Sequence, residues 1–373
     1  SLSDKGLGGS ISSGWRALTD PNDQTKVANR PDRLTSVGSV RARYWDESYK
    51  IWRAHKVKGA GAGGYATARL RYRTDGFLDV QHAHGYVVQT AADLGIIGLV
   101  ASLALLLAWA VATGRTLGWR RPRLLRRADP PRAGPRPSFG PEHVAMATLA
   151  AIVLVFGTHS FIDWTWFVPG TAVPALLAAG WVAGRGPLTE PAGDPRGLGA
   201  RLRTGVRAPV RVAAAAFVLA VGLVAAYTAW QPLRAVHADN QALELAGTDP
   251  ARAVALARTA HARDPLSIDP LVSLAFVEAA NQHPAQARAA LVEAVRLQPA
   301  NPATWEYLAR FVLDRQDDPV LALRLLGPAL YLDPKSPTGA QDYLDASRRA
   351  QAKADAKAAA RAAARRPRAK TAH

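Results

Sequence analysis

The chain contains no cysteine and a single methionine. Without thiols, disulfides, Cys-ligated zinc and thiol nucleophiles are all excluded. Acidic side chains are scarce too: 29 Asp and Glu stand against 47 Lys and Arg, for a formal net charge of +18. A surplus of that size invites a nucleic-acid reading, but no aromatic-laced RNA or DNA motif accompanies it. The cations instead concentrate between apolar blocks, with eight arginines from Arg115 to Arg136 and six from Arg185 to Arg211. Also missing are an initiator methionine, a signal peptide and any apolar segment before residue 94.

What the chain does hold in quantity is apolar sequence, 49% of its residues, much of it gathered into four blocks. Leu94 to Thr113 is free of charge and, at about 20 residues, crosses a hydrocarbon core of roughly 30 Å. Val144 to Ile162 and Val212 to Trp230 have the same character. Val168 to Gly184 is shorter and carries Pro169 and Pro174, which predicts a kinked or tilted span. Short Arg-rich loops stay cytoplasmic, so the connections after the first and third blocks are expected inside. The turn from His159 to Val168, which has no Lys or Arg, is expected outside, with residues 1 to 93 and everything after Trp230. An exported first region with no apolar lead generates the expectation of further spans encoded ahead of Ser1.

Residues 1 to 40 are rich in Gly, Ser, Asn, Asp and Pro and read as an irregular loop. A helix is expected from about Val40 to His55, placing Arg41 and Trp45 on one face with Tyr49 and Trp52 close by. Gly59, Gly61 and Gly64 match the spacing of a dinucleotide-binding loop, but no βαβ pattern surrounds them, so a flexible turn is expected. Arg69, Arg71 and Arg73 either add to a positive field there or are simply solvated. Beyond Trp230, Pro265, Pro299 and Pro334 recur at steps of 34 and 35 residues, the period of tetratricopeptide repeats. Helices are expected at about 236–246 and 250–263, 270–282 and 284–297, and 303–315 and 318–332. The expected class is therefore all-α. It comprises an outer loop region over residues 1 to 93, four spans within 94 to 230, a TPR-like domain over 234 to 345, and a basic disordered tail over 346 to 373.

Several side chains have the chemistry of a site. His82 and His84, at i and i+2, would point the same way on a strand, as metal ligands do, but no third ligand lies nearby in sequence. Structural and catalytic roles both remain open for them. His159 and Asp163 are spaced to share a helix face, where the carboxylate would orient the imidazole. Arg41 and Arg43 are solvated charges unless an anion is present, in which case a guanidinium fork suits two phosphate oxygens. Trp164 and Trp166 suit an interfacial belt or a sugar-stacking platform.

The order of these residues is itself informative. Arg41-x3-Trp45, the Gly-rich turn, and His84-Gly-Tyr-x2-Gln-x3-Asp-Leu-Gly-Ile-Ile-Gly-Leu are followed by His159-Ser-x2-Asp163 and a proline. Over about residues 35 to 185 this resembles the signature region of the O-antigen ligase and polymerase family. The resemblance implies a polytopic glycosyltransferase of the bacterial inner membrane. It would transfer a polyprenyl-diphosphate-linked glycan to an acceptor hydroxyl on the outer face, with inversion and with no metal or cofactor. It also implies His84 as general base and Arg41 as the cation at the leaving diphosphate. Arg43, His82, His159, Asp163 and Trp45 would be substrate-binding residues, and Gly85 stands where many family members carry Asn. Partners would be the glycan donor, a glycan or lipid acceptor, membrane lipids and a protein met by the repeats, with no nucleic acid. The alternative is a non-enzymatic, membrane-anchored repeat scaffold for envelope assembly.

The cysteine-free background makes the expected topology directly testable. Single cysteines replacing Ser13, Ser138 and Ser267 should divide under a membrane-impermeant thiol reagent in intact cells. The first and third should be labelled, and labelling of the second would overturn the arrangement.

Overall fold

The structure is a computed structural model, and it describes residues 41–74, 80–118, 140–188 and 209–365. The irregular loop expected over residues 1 to 40, most of both Arg-rich connections and the last eight residues of the tail lie outside these ranges. The described residues are all-α, with twelve α-helices among them: α1 (Arg41–Ala54), α2 (Tyr65–Ala68), α3 (Tyr86–Thr116), α4 (Pro141–Ser160), α5 (Pro169–Arg185), α6 (Pro209–Leu245), α7 (Pro250–Arg263), α8 (Asp269–Ala280), α9 (Pro284–Leu297), α10 (Pro302–Arg315), α11 (Pro319–Leu332) and α12 (Pro337–Arg365). They form two compact units, one holding α1 to α5 and the other α6 to α12.

Three helices are long and apolar enough to cross a membrane: α3, α4 and the part of α6 from Val212 to Leu245. Three of the four expected spans fall on them. The remaining one is α5, whose 17 residues rise only about 26 Å and include Pro174, so it falls short of the roughly 30 Å core by itself. Large apolar side chains on all four helices face outward: Leu105 is 74% exposed, Val155 70%, Leu177 69% and Phe217 70%. Such continuous apolar surface is stable only against lipid or other apolar helices.

In the first unit α1 buries Tyr44, Glu47, Ser48 and Ile51, spaced to form one stripe. The stripe contains a charge, and the fold answers it. Arg69 and Glu47 are both fully buried and paired, Nε to Oε2 at 2.8 Å and Nη2 to Oε1 at 3.3 Å, while the Tyr65 hydroxyl donates to the same carboxylate at 3.3 Å. Arg69, expected to add to a solvent-facing basic field, is thus an interior residue. Removing either partner would strand a buried charge, typically at a cost of about 3–5 kcal/mol.

The Gly-rich turn after α1 is not the flexible link expected of it. Helix α3 is broken at Gly95 (φ 63°), which unpairs the N–H groups of Ile96 and Ile97 from the carbonyls of Ala92 and Asp93. The turn takes up all four groups. Ala60 and Gly61 donate to the Ala92 and Asp93 carbonyls at 2.8 and 2.9 Å, and Ile96 and Ile97 donate to the Lys56 and Val57 carbonyls at 2.9 and 3.2 Å. Backbones approach so closely that a Cβ on Gly59 would lie 2.3 Å from the Asp93 carbonyl carbon, and one on Gly95 would lie 2.4 Å from the Val57 oxygen. Asp93 secures the turn from below, accepting from the Tyr65 N–H at 2.7 Å and from Gln89 at 3.0 Å.

The break also redirects α3. In a straight helix, residues 86 and 102 would be separated by roughly 24 Å, yet the Tyr86 hydroxyl and Ser102 Oγ are 2.8 Å apart. The first segment is therefore folded back beside the second. The rest of the unit is a short bundle in which Thr116 Oγ1 donates to the Val182 carbonyl at 2.9 Å and Arg185 pairs with Glu142 at 2.5 Å. Leu117, Met146, Ala150 and Val182 form its core.

The second unit is a series of paired helices. Aspartate or asparagine precedes proline at three helix starts: Asp249, Asn301 and Asp318 each accept from a backbone N–H of the first turn, while Pro250, Pro302 and Pro319 occupy the first helical position. The second helices of the pairs meet their neighbours through alanine. Ala253, Ala287 and Ala322, and likewise Ala260, Ala294 and Ala329, are buried to 1% exposure or less at steps of 34 and 35 residues. Leu308, Val312, Leu313 and Leu326 fill the largest core, each worth roughly 1.5–3 kcal/mol of burial. The expected 236–246 helix is the distal part of α6, so the apolar span and the first repeat helix are one 37-residue rod.

The tail expected to be disordered from residue 346 is helical through Arg365. Its Ala-Lys-Arg composition carries high helix propensity, and its first turns are anchored. Ala346 is fully buried, Arg349 pairs with Asp314 at 3.2 Å, and Lys353 pairs with Asp317 at 2.6 Å.

Replacing Gly95 or Gly59 by Ala should destabilise the purified chain by at least the roughly 1–3 kcal/mol of left-handed strain, read as an earlier thermal unfolding transition. Gly157→Ala, at an open position inside α4, is the control and should be neutral or slightly stabilising.

Candidate functional site

The site forms where α1, the segment leading into α3 and the turn after α4 converge. Arg41 opens α1, and one turn later Trp45 reaches across to the 80s segment, its indole N–H donating to the His84 carbonyl at 3.0 Å. That carbonyl belongs to a strained residue: His84 has φ 53°, a left-handed conformation costing on the order of 1–3 kcal/mol outside glycine. Gly85, next to it, is crowded. A Cβ there would sit 3.0 Å from the Phe161 carbonyl and 3.1 Å from Trp45 Nε1, so a larger residue would have to push the turn after α4 aside.

Asp163 is the meeting point. Its Oδ1 lies 3.3 Å from His84 Nδ1, its Oδ2 lies 3.4 Å from Arg41 Nη2, and it accepts the Trp164 N–H at 2.8 Å. The expected pairing of Asp163 with His159 does not occur. Helix α4 ends at Ser160, so Asp163 lies in the turn beyond and no longer shares a helical face with His159. His159 Nδ1 instead lies 3.4 Å from the Thr165 hydroxyl.

The two histidines have different settings. His84 stacks on Tyr44 with ring centroids 5.8 Å apart, and Tyr44 in turn lies under the buried Arg69 guanidinium, 5.4 Å away. His82 stacks on Trp164 and Phe167 at 5.1 and 4.2 Å, and its buried Nδ1 has no hydrogen-bond partner. No group of three or more His, Asp or Glu side chains that could hold a metal gathers among the described residues. Arg43, half-buried on α1, is not among the side chains that Asp163 holds.

Burial pushes the His84 imidazole below its ordinary value, and the Arg41 charge adds to that, against the opposing pull of Asp163. His82 is lowered by burial and by His84. For Asp163, burial alone would raise the carboxyl, but the Trp164 N–H, Arg41 and His84 outweigh it and hold it low. At neutral pH the arrangement is a neutral imidazole whose Nδ1 is taken by a carboxylate. Nε2 is then the nitrogen available to accept a proton from a substrate.

Of the expected site residues, Arg41, Trp45, His84 and Asp163 come together directly. His82 joins through Trp164, whose edge meets His84 at 6.3 Å. Tyr44 is a site residue that the sequence motifs do not mark, its one signal being that it lies three residues after Arg41 on the same helix. No protein family and no curated protein matches the chain.

The two flanking charges act on His84 in opposite senses, and histidine NMR of the full chain can read them. Arg41→Gln removes a lowering charge, so the His84 pKa should rise. Asp163→Asn removes the raising one, so it should fall further below the ordinary 6.5. A shift of the same sign in both variants would contradict the arrangement.

Proposed function

We propose that this chain carries the catalytic region of a membrane glycosyltransferase of the O-antigen ligase and polymerase type, with a TPR-like domain appended. The observation that supports it most is the convergence on Asp163. Arg41, His84 and Asp163 come from three separate stretches of the resemblance, and their side chains form one bridged constellation. A four-span arrangement is supported by the level of α5: its end pairs with the start of α4 through Arg185 and Glu142, so the two helices traverse the same depth. On that reading the site lies at the outer ends of α4 and α5, where a lipid-linked diphosphate has its headgroup. The alanine positions repeating at 34 and 35 residues favour TPR-like packing.

In the proposed reaction His84 Nε2 takes the proton of an acceptor hydroxyl. The acceptor oxygen bonds to the anomeric carbon as the bond from that carbon to the diphosphate oxygen breaks, inverting the centre. Negative charge develops on the departing polyprenyl diphosphate, where the Arg41 guanidinium stabilises it. Asp163 holds the imidazole in the required tautomer and meets the positive charge it acquires. A fixed charge-assisted donor of this kind is worth about 3 kcal/mol, and a positioned base roughly 10²- to 10⁴-fold in rate. The rival reading, a membrane-anchored repeat scaffold, draws support from the helical continuity of α6 into the first repeat.

Transfer from a polyprenyl-diphosphate-linked glycan, measured at equal membrane abundance, separates the two. Arg41→Lys should be nearly as damaging as Arg41→Ala, each losing on the order of 10²- to 10³-fold, because Lys keeps the charge and loses the fork. His84→Ala should retain donor binding, lose transfer and recover partly at high pH. His55→Ala and Lys58→Ala, exposed on the same unit, should stay within a few-fold. Equal activity across all of these variants would favour the scaffold.

A further inference from the structure

The proposed base, His84, belongs to a longer run of rings, most of which the reaction itself does not use. From Tyr44 it passes to His84, then to the edge of Trp164, then to His82 and Phe167. It continues through Trp166, 5.2 Å from Phe167, to Tyr86, 5.4 Å further on. Such continuity is not what a lipid-facing belt requires. Trp181 and Trp230 show the belt pattern: they are 67% and 57% exposed, and neither has a ring contact with a histidine. Trp164 is 37% exposed and touches both histidines of the site, while Phe167 is 44% exposed and stacks on one of them.

We infer that the Trp164 ring, backed by His82 and Phe167, is a stacking face for a pyranose ring of the acceptor glycan, placed so that one of its hydroxyls meets His84. The inference rests on the glycosyltransferase reading and assigns the acceptor side of that site. Pyranose rings present an apolar C–H face to an aromatic ring and hydroxyls at the rim, so a sugar subsite needs both surfaces. Polar groups are at hand. The Thr165 hydroxyl makes two long contacts, 3.4 Å to His159 Nδ1 and 3.4 Å to Ser160 Oγ, both looser than an ordinary hydroxyl bond and exchangeable for sugar hydroxyls. His82 has no hydrogen bond at its buried nitrogen, so the ring stacks set its place, and it spaces Phe167 from Trp164.

Position decides between acceptor and donor. Arg41, which would face the donor diphosphate, lies on α1 and meets Asp163 through Oδ2. Trp164 lies in the turn after α4 and meets the His84 ring at 6.3 Å, while Phe167 stacks on His82. In an in-line displacement the base lies behind the acceptor oxygen, away from the leaving group, so a sugar held on a ring that touches His84 is on the acceptor side.

The test uses the full chain in detergent micelles and saturation-transfer NMR with methyl pyranosides of glucose, galactose, mannose, rhamnose and N-acetylglucosamine. At least one should receive saturation at its ring C–H protons. Its affinity should fall about tenfold in Trp164→Ala and in Phe167→Ala, and much less in Trp164→Tyr, which keeps a stacking face and controls for misfolding. Arg41→Lys should leave it within twofold. In the transfer assay Trp164→Ala should raise the acceptor KM with little change in kcat. No saturation of any pyranoside, or equal saturation in both alanine variants, overturns the subsite. If Arg41→Lys and His84→Ala abolish transfer while Trp164→Ala keeps the acceptor KM, the subsite falls and the enzyme reading stands. If sugar binding depends on Trp164 while His84→Ala transfers normally, the subsite stands and the catalytic reading falls.

Discussion

An unpaired peptide group in apolar surroundings costs several kcal/mol, and the break at Gly95 creates four of them in an apolar helix. Everything distinctive about the first unit follows from how they are re-paired. The Lys56–Gly61 backbone supplies two donors and two acceptors in the register the helix lost, which fixes the end of α1 against the middle of α3. Once docked there, α1 has its N-terminal turn over the segment that carries His84. The break frees that segment to fold back, with Tyr86 bonded to Ser102. Glycine is needed on both sides of the junction because backbone meets backbone with no room for a Cβ.

Around that junction the charges are arranged in two tiers. The inner tier is the Glu47–Arg69 pair, fully desolvated and braced by Tyr65, whose hydroxyl is pushed above its ordinary value by burial and by the neighbouring carboxylate. A pair of this kind contributes little net stability but penalises any arrangement that separates its partners. The outer tier, Arg41–Asp163–His84, is partly open to solvent. Tyr44 joins the tiers, one face toward Arg69 and one toward His84. Orientation at the exposed level is thus inherited from the buried one.

Local features were legible in the sequence and distant pairings were not. The apolar helices and the paired repeats were readable because composition and the Asp-Pro punctuation repeat within one helix length. The helix boundaries expected for 250–263 and 284–297 coincide with those of α7 and α9. Sequence spacing pairs Asp163 with His159, whereas the histidine it meets, His84, is 79 residues away along the chain. The Gly-rich turn read as loose because its partners lie more than 30 residues downstream. Low complexity and basic composition predict a disordered arm for the tail, helical at most in part. The acidic residues that hold it, Asp314 and Asp317, belong to the end of α10 and the turn after it.

One consequence of α6 concerns mechanics more than chemistry. Its apolar half and its repeat-bearing half are a single rod from Pro209 to Leu245, with Pro232 the one interruption to its hydrogen-bond ladder. A domain mounted on such a shaft can turn against the apolar half chiefly at Pro232. Load applied to the repeats reaches the apolar segment through the helix itself instead of being dissipated in a linker. The repeat array therefore behaves as a handle on the helix that holds it.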